Sequence, residues 1–388
     1  MISIPEALAL IDALPAAPRP VSLPLAGALG LPLAGPVISP VALPPFDKSA
    51  MDGYAVPAGD PGPWKLTAFI PAGSPAPAPI ARGECAKIMT GAMLPEGAVR
   101  VVRVEFAEEA DGQVRQIREE TGTHISRAGE DVAVGDRLLE EGDRIGPAAI
   151  ALAASVGLAG LPVWEVPRVG ILPTGSELLP PGAPLAPGKI YDSNGPALAA
   201  QVRRAGGDPR PVPGVADTTE AIAAAVDRAI AGCDLLLISG GVSAGDLDLV
   251  PGALEGLGAH ILFRKIAIQP GMPTLAATLA GKPVFGLPGN PVSTFVIFEL
   301  FVRPLLARLA GTPFTPREAD GVVATEVRRR ASERTSFLPV TLRDGRVSPL
   351  PYHGSAHLLA LARADALLPV PPGSDGYPAG THVHVRLL

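Results

Sequence analysis

The sequence predicts a multi-domain chain of α/β plus β class: a central three-layer α/β domain with a largely parallel sheet, accompanied by smaller, mostly-β domains. Three observations lead there. From residue 168 to residue 310 short apolar runs alternate with helical periodicities, the pattern of strands joined by crossover helices. On either side, residues 57–135 and the stretch beyond Gly311 read as short strands between Gly, Pro and Asp-Gly turns. Finally, 388 residues exceed one ordinary core, so two to four domains are expected.

Taken in order, residues 4–14 form a short amphipathic helix stopped by Pro15 and Pro18, and proline-separated apolar runs follow. Pro44 and Pro45 lead into Phe46-Asp47-Lys48-Ser49-Ala50-Met51-Asp52-Gly53-Tyr54. There Asp52 stands at a glycine turn, either bonding its own backbone or presenting a carboxylate. Strands are expected at 64–69, 85–90, 100–106 and 114–117; Thr90-Gly91 ends one of them, and Gly129-Glu130-Asp131 sets another acid beside glycine. An Ala-rich helix at 147–157 precedes the α/β stretch. That stretch reads as strand 169–172, helix 196–205, strand 211–215, helix 218–231, strand 235–238, helix 246–257, strands 260–267, 274–279 and 283–287, and one helix over 291–310. Strands at 321–328, 335–342 and 346–350 about an Asp344-Gly345 hairpin, a helix at 355–362 and a strand at 381–387 complete the chain.

In open parallel sheets, ligands gather outside the carboxyl ends of the strands. Two apolar strands stop there in small-residue loops, Ser239-Gly240-Gly241-Val242-Ser243 and Pro288-Gly289-Asn290-Pro291-Val292-Ser293. Glycine admits a close ligand, and Asn290-Pro291 fits an N-cap and first helical position. The helix would then aim free amides and its positive dipole end at an oxyanion or phosphate. Singly, either loop reads better as turn punctuation, and it is the pair that points to a ligand. Both asparagines of the chain, Asn194 and Asn290, fall in such loops.

The acids in candidate loops are Asp52, Asp131, Glu177, Asp192, Asp217 and Asp248, while the α/β stretch has only Lys189, Lys265 and Lys282. Carboxylates repel a neighbouring anion unless a hard divalent cation lies between, and Mg2+ takes oxygen ligands of this kind. A phosphate-bearing ligand with Mg2+ is coherent with that pattern. Local roles stay open for two members: Asp217-Thr218-Thr219-Glu220 also fits a capping box, and Asp248 also fits the first turn of a helix capped by Asp246.

Composition removes other classes. A net charge of −6 from 32 basic and 38 acidic residues, with no basic block beyond the Arg328-Arg329-Arg330 run, gives no footprint for nucleic acid. The most apolar helix carries Glu299, Arg303 and Pro304, which fits a core helix and not a membrane span. The acidic start lacks the basic region of a secretion signal, so a cytoplasmic location is expected. Two cysteines, Cys85 and Cys233, and six scattered histidines indicate neither disulfides nor a zinc site, and no Ser-His-Asp, Walker or dinucleotide motif is present.

Several stretches together resemble one family. The run 45–55 containing Ser-Ala-Met-Asp-Gly-Tyr, Ile88-Met89-Thr90-Gly91-Ala92, Ala128-Gly129-Glu130-Asp131, Pro173-Thr174-Gly175-Ser176-Glu177-Leu178, Tyr191-Asp192-Ser193-Asn194 and the two glycine loops are similar to the molybdopterin molybdenumtransferases, a family that includes the C-terminal part of gephyrin. The resemblance covers essentially the whole chain in the same order. It implies four domains: residues 20–38 and 136–165 connecting, β/helical; 39–135 mostly β; 1–19 and 166–316 α/β and molybdopterin-binding; 317–388 C-terminal and β-rich. It also implies an elongated homodimer whose site joins the α/β domain of one subunit to the β domain of the other.

The implied reaction inserts molybdate into adenylylated molybdopterin, with AMP released and Mg2+ required. A molybdopterin adenylyltransferase and cofactor-accepting proteins are the implied partners. Carried over by motif, Asp52, Thr90, Asp131, Glu177, Asp217, Asp248 and Lys265 form the catalytic set, with Lys265 holding the anionic substrate. Asp52, Glu177, Asp217 and Asp248 would hold the metal. Ser239, Gly240, Gly241, Ser243, Pro288, Gly289, Asn290, Pro291, Ser293, Asp192, Asn194 and Ser355 would bind the pterin nucleotide.

The chain departs from the pattern after Lys265. The family reads Lys-x-x-x-Lys-Pro-Gly-Lys-Pro, whereas Gln269 and Met272 occupy the two later lysine positions here. Lys48 stands where asparagine is common, and Met93 where proline is common. The alternative reading is a catalytically weakened paralogue that binds molybdopterin or its adenylate, or that uses another oxyanion such as tungstate. A nucleotide pyrophosphatase on the same α/β module is disfavoured by the Ser-Ala-Met-Asp-Gly-Tyr motif.

Overall fold

The computed structural model describes residues 1–75, 77–242 and 249–388. The chain divides into two compact units, Met1–Arg19 with Trp164–Leu388, and Pro20–Val163.

In the first unit a six-stranded sheet runs in the order Asp208–Pro211, Arg168–Pro173, Leu235–Ser239, Lys282–Leu287, Leu275–Leu279, His260–Phe263. The first four strands are parallel. Leu275–Leu279 is antiparallel to Lys282–Leu287, the two joined by Ala280 and Gly281 at positive φ, and His260–Phe263 is antiparallel to Leu275–Leu279. Side chains of each central strand alternate between two cores. Val169, Ile171, Leu235, Leu237, Phe285 and Leu287 pack with helices Ile4–Asp12, Asn194–Arg204 and Pro291–Ile297. Leu172, Leu236, Ile238 and Val284 pack with helices Thr219–Ala231 and Leu249–Gly256. Strands covered on both faces need the near-continuous apolar runs seen in the sequence.

Helix Ile4–Asp12 opens with a capping box between Ser3 and Glu6. Arg308 Nη1 and Nη2 donate to the Ile11 and Leu14 carbonyls at 3.1 and 2.9 Å, tying the start of the chain to the last helix of the α/β region.

Two expected elements are corrected. The edge strand is Asp208–Pro211, not 211–215: Pro209 and Pro211 cannot donate to a ladder, and only an edge tolerates them. The helix expected over 291–310 divides into Pro291–Ile297, a π-helical turn Phe298–Val302 and Arg303–Leu309. The π turn lies just before Pro304, whose missing amide interrupts the ladder. Within that turn Glu299 is 3% exposed and accepts from Gln201 Nε2 at 2.8 Å, Arg303 Nη1 at 2.8 Å and Arg204 Nη2 at 2.5 Å.

A second six-stranded sheet of this unit, in the order Ile268–Gln269, Thr335–Arg343, Arg346–Pro349, Glu318–Val323, His382–Leu387, Ala366–Val370, closes through pairing of Thr335–Arg343 with Ala366–Val370. Asp344 and Gly345, at φ 48° and 72°, form its expected hairpin turn. The helix expected at 355–362 is confined to Leu358–Ala362.

The other unit carries a six-stranded sheet in the order Ala98–Arg103, Gly53–Pro57, Glu84–Ile88, Trp64–Ile70, Gln113–Gln116, Ala107–Ala110. Helix Pro147–Ser155 contributes to a smaller core with strands Pro20–Pro24 and Gly160–Trp164. Among the described residues, no helix is long and apolar enough to cross a membrane.

Candidate functional site

Strands Arg168–Pro173, Leu235–Ser239 and Lys282–Leu287 end level: Pro173 lies opposite Ser239, and Ser239 opposite Leu287. Their loops therefore emerge side by side. Asn194, 9% exposed at the start of helix Asn194–Arg204, clasps two of them. Its Nδ2 donates to Ser239 Oγ and to the Gly289 carbonyl, both at 2.8 Å, while its Oδ1 is buried with no partner among the described residues. Gly240, at φ +98°, admits no side chain: a Cβ would stand 2.6 Å from the Thr174 carbonyl and 2.9 Å from Thr174 Oγ1. Thr174 Oγ1 donates to the Ser239 carbonyl at 3.3 Å, which locks the first loop to the second.

Asn290 takes the N-cap position of helix Pro291–Ile297, but its side chain does not cap it. Asn290 Nδ2 donates to Ser355 Oγ at 2.8 Å, and the Ser355 carbonyl accepts the Val292 amide at 3.0 Å. The expected array of free amides is thus corrected: Pro291 has none, and that of Val292 is engaged. Thr294 Oγ1 donates to the carbonyls of Pro288 and Asn290, and Ser293 is buried.

Asp217 is not the helix cap. Thr218 is, accepting the Ala221 amide at 3.2 Å. Asp217 Oδ2 instead accepts the Ser176 amide at 2.9 Å, and Ser176 Oγ accepts the Asp217 amide at 3.2 Å. Lys189 Nζ donates to the Ser176 carbonyl at 2.6 Å. Asp192 Oδ1 accepts the Gly195 amide at 2.9 Å. Gly175, Ser176, Asp192, Gly214 and Ala216 line a cleft of about 460 Å³, and Glu177 and Asp217 are chain neighbours of its walls.

In the other unit Asp52 and Thr90 meet. Gly53 pairs with Ile88 across antiparallel strands, so the residue before one strand faces the loop after the other. Asp52 Oδ1 accepts from Thr90 Oγ1 at 2.6 Å and from the Thr90 amide at 2.7 Å. These hydrogen bonds, the hydroxyl first, hold the Asp52 carboxyl below the usual carboxylate range. What the pair adds to stability is present above the ordinary value of about 3.9 and is lost as pH falls through the lower folded value. Thr90→Val removes one donor and keeps the amide, so the Asp52 carboxyl should titrate higher, part-way to its ordinary value. A carboxyl-carbon NMR titration checks this, and an unmoved midpoint rules the pairing out.

Asp131 is exposed, on a loop held by Asp47, whose Oδ1 accepts the Ala128 amide at 2.8 Å and whose Oδ2 accepts Arg127 Nη1 at 2.5 Å. Lys48 and Met93, both departures from the family pattern, are bridge partners of one another. Lys265 is exposed, and its carbonyl accepts the Ile2 amide at 3.0 Å. Ser243 and Asp248 lie outside the described residues. Among the described residues no three His, Cys, Asp or Glu side chains gather to hold a metal. Of the expected metal set, Asp52 belongs to one unit and Glu177 and Asp217 to the other.

Sequence reading left Thr174, Ser176 and Asp47 without roles. All three stand inside the quoted motifs, and a hydroxyl or carboxylate flanking a glycine turn was the available signal.

Level strand ends with interlocked glycine loops, flanked by carboxylates and a cleft, define a small-molecule α/β enzyme. Residues 2–157 match the MoeA N-terminal region (domain I and II), 170–308 a probable molybdopterin binding domain, and 322–388 the MoeA C-terminal region (domain IV). The chain is 39% identical over 401 residues to molybdopterin molybdenumtransferase 2 of Mycobacterium tuberculosis, covering 99% of each. It is 36% identical over 365 residues to the molybdopterin molybdenumtransferase of Bacillus subtilis, covering 89% of this chain and 84% of that one. The crystal structure of a molybdopterin biosynthesis moea protein from Pyrococcus horikosii superposes with a TM-score of 0.87 at 32% identity, covering 100% of this chain and 99% of that one. The chain belongs to the molybdopterin molybdenumtransferase family, an enzyme family of molybdenum cofactor biosynthesis.

Proposed function

We propose that the chain inserts molybdate into adenylylated molybdopterin and releases AMP in a Mg2+-dependent reaction, acting as a cytoplasmic homodimer of four-domain subunits with the boundaries given above. A molybdopterin adenylyltransferase would supply its substrate, and cofactor-accepting proteins would take its product. The observation that carries this reading is the Asn194 clasp, which holds two glycine loops together where a pterin nucleotide can approach the backbone closely.

In this reading Ser239, Gly240, Gly241, Pro288, Gly289, Asn290, Pro291 and Ser293 shape the ligand surface, and Asp192 and Ser355 brace it. Asp52, kept ionised by Thr90, and Asp131 in one unit, and Lys265 in the other, keep the roles toward charged substrates that the resemblance implies. Ser243 and Asp248 keep the roles implied by the resemblance. The residues fit Mg2+ in its usual manner, in which one or two carboxylates and substrate phosphates share the ion with water. Glu177 and Asp217 would hold it, Asp217 engaging only Oδ2 in its contact with Ser176, and Asp52 and Asp248 complete the set that the resemblance implies. The ion would polarise the phosphoanhydride.

Incubation with adenylylated molybdopterin, Mg2+ and molybdate should yield AMP well above a no-protein control. No AMP, with the pterin nucleotide still bound, would favour the second reading, a binder weakened by the uncharged Gln269 and Met272.

A further inference from the structure

Thr294 takes no part in the chemistry proposed so far. It stands in the first turn of helix Pro291–Ile297 and, at 2% exposed, is too buried to touch a ligand. A helical threonine hydroxyl ordinarily turns back to the carbonyl four residues before it. Thr294 Oγ1 does so, donating to the Asn290 carbonyl at 3.2 Å, but that oxygen is already served by the Thr294 amide at 3.0 Å. The closer acceptor is the Pro288 carbonyl, six residues back and outside the ladder of the helix. Among the described residues, the Thr294 hydroxyl is the only donor to that oxygen.

In a trans peptide the C=O and the N–H that follows it point in opposite directions. The bond from Thr294 to the Pro288 carbonyl therefore fixes the direction of the Gly289 amide. The bond from Asn194 Nδ2 to the Gly289 carbonyl, at 2.8 Å, fixes the Asn290 amide in the same way. Gly289 and Asn290 are exposed, and among the described residues neither amide has an acceptor. Two successive peptides are thus each held by one buried side chain, carbonyl inward and amide outward. The Pro288–Gly289 peptide depends on its hold because glycine, lacking a Cβ, opposes its turning over least.

We propose that Thr294 is a positioning residue for the pterin nucleotide: by drawing the Pro288 carbonyl inward it keeps the Pro288–Gly289 peptide from turning over and presents the Gly289 amide to the ligand. The identity of that ligand rests on the transferase reading; the hold on the peptide does not.

Equilibrium binding of adenylylated molybdopterin to the full chain without molybdate tests this, read beside AMP release once molybdate and Mg2+ are added. Thr294→Val keeps the branched shape and removes the donor, so the dissociation constant should rise about tenfold. Thr294→Ser restores the hydroxyl and should bind within about twofold of the unaltered protein. Thr312→Val removes a hydroxyl that donates to the Ala307 carbonyl at 3.1 Å, away from the loop, and should leave binding unchanged. Thermal unfolding confirms the fold of each variant. Thr294→Ala, which lacks the donor and adds no bulk, keeps the test decisive if Thr294→Val is unstable. Binding by the donor-less variants equal to that of the unaltered protein, or equal losses in Thr294→Val and Thr294→Ser, overturns the proposal. Pterin-nucleotide binding that weakens in Thr294→Val while the unaltered protein releases no AMP would sink the transferase reading alone. No binding by the unaltered protein sinks both.

Discussion

On the proposed reaction, Asn194→Ala is expected to slow AMP release roughly a hundredfold while the protein stays folded, because a displacement of about 1 Å at a reacting centre has effects of that size. The Asn194 amide is the bond between two loops, donating to Ser239 Oγ and to the Gly289 carbonyl at 2.8 Å each. Without it the loops keep their strands but lose their mutual spacing. Two neutral hydrogen bonds contribute about 1 kcal/mol each to stability, so denaturant unfolding should shift only modestly. Asn194→Asp sharpens the test. It preserves the shape but sets a buried carboxylate against the Gly289 carbonyl, and it should be at least as damaging as alanine. Recovery of activity in Asn194→Asp would show that the donor is not what matters.

Glu299→Ala should do the reverse. Glu299 collects Gln201, Arg204 and Arg303 in a site where it is 3% exposed. Its removal leaves Gln201 Nε2 without its strongest acceptor and two guanidinium groups facing one another. Breaking a buried pair typically costs about 3–5 kcal/mol; the lower end applies here because the Arg204 side chain is 45% exposed. The helices Asn194–Arg204 and Pro291–Ile297 should loosen together, and the urea midpoint should fall. AMP release per folded molecule should hardly change. A variant with unaltered stability and lost activity would move Glu299 from the scaffold into the chemistry.

Much of this was legible in the sequence. Strands buried on both faces announce themselves as unbroken apolar runs, as in Leu235–Ser239, and the loops ending them are marked by glycine, proline and asparagine. Side-chain partners were less legible, because they depend on where the chain returns. Asn290 occupies the cap position the sequence predicts, yet its amide goes to Ser355, 65 residues later. Asp217 looked like a capping box member until Thr218 took the cap and Ser176 took Asp217. The segment Arg328-Arg329-Arg330 showed in the sequence only as a short basic run. Whether such a run is solvated or folded inward is decided by tertiary packing, and Arg328 and Arg329 went opposite ways.

The chain leaves its first unit after Arg19 and re-enters it at Trp164. During synthesis, then, helix Ile4–Asp12 emerges long before anything it packs against. Arg308, which holds the Ile11 carbonyl, follows 297 residues later. The inserted unit has all its own partners in hand as it leaves the ribosome, so it can fold while the helix is kept waiting. For that interval Ala7, Ile11 and Leu14, all buried in the folded unit, have no core to enter.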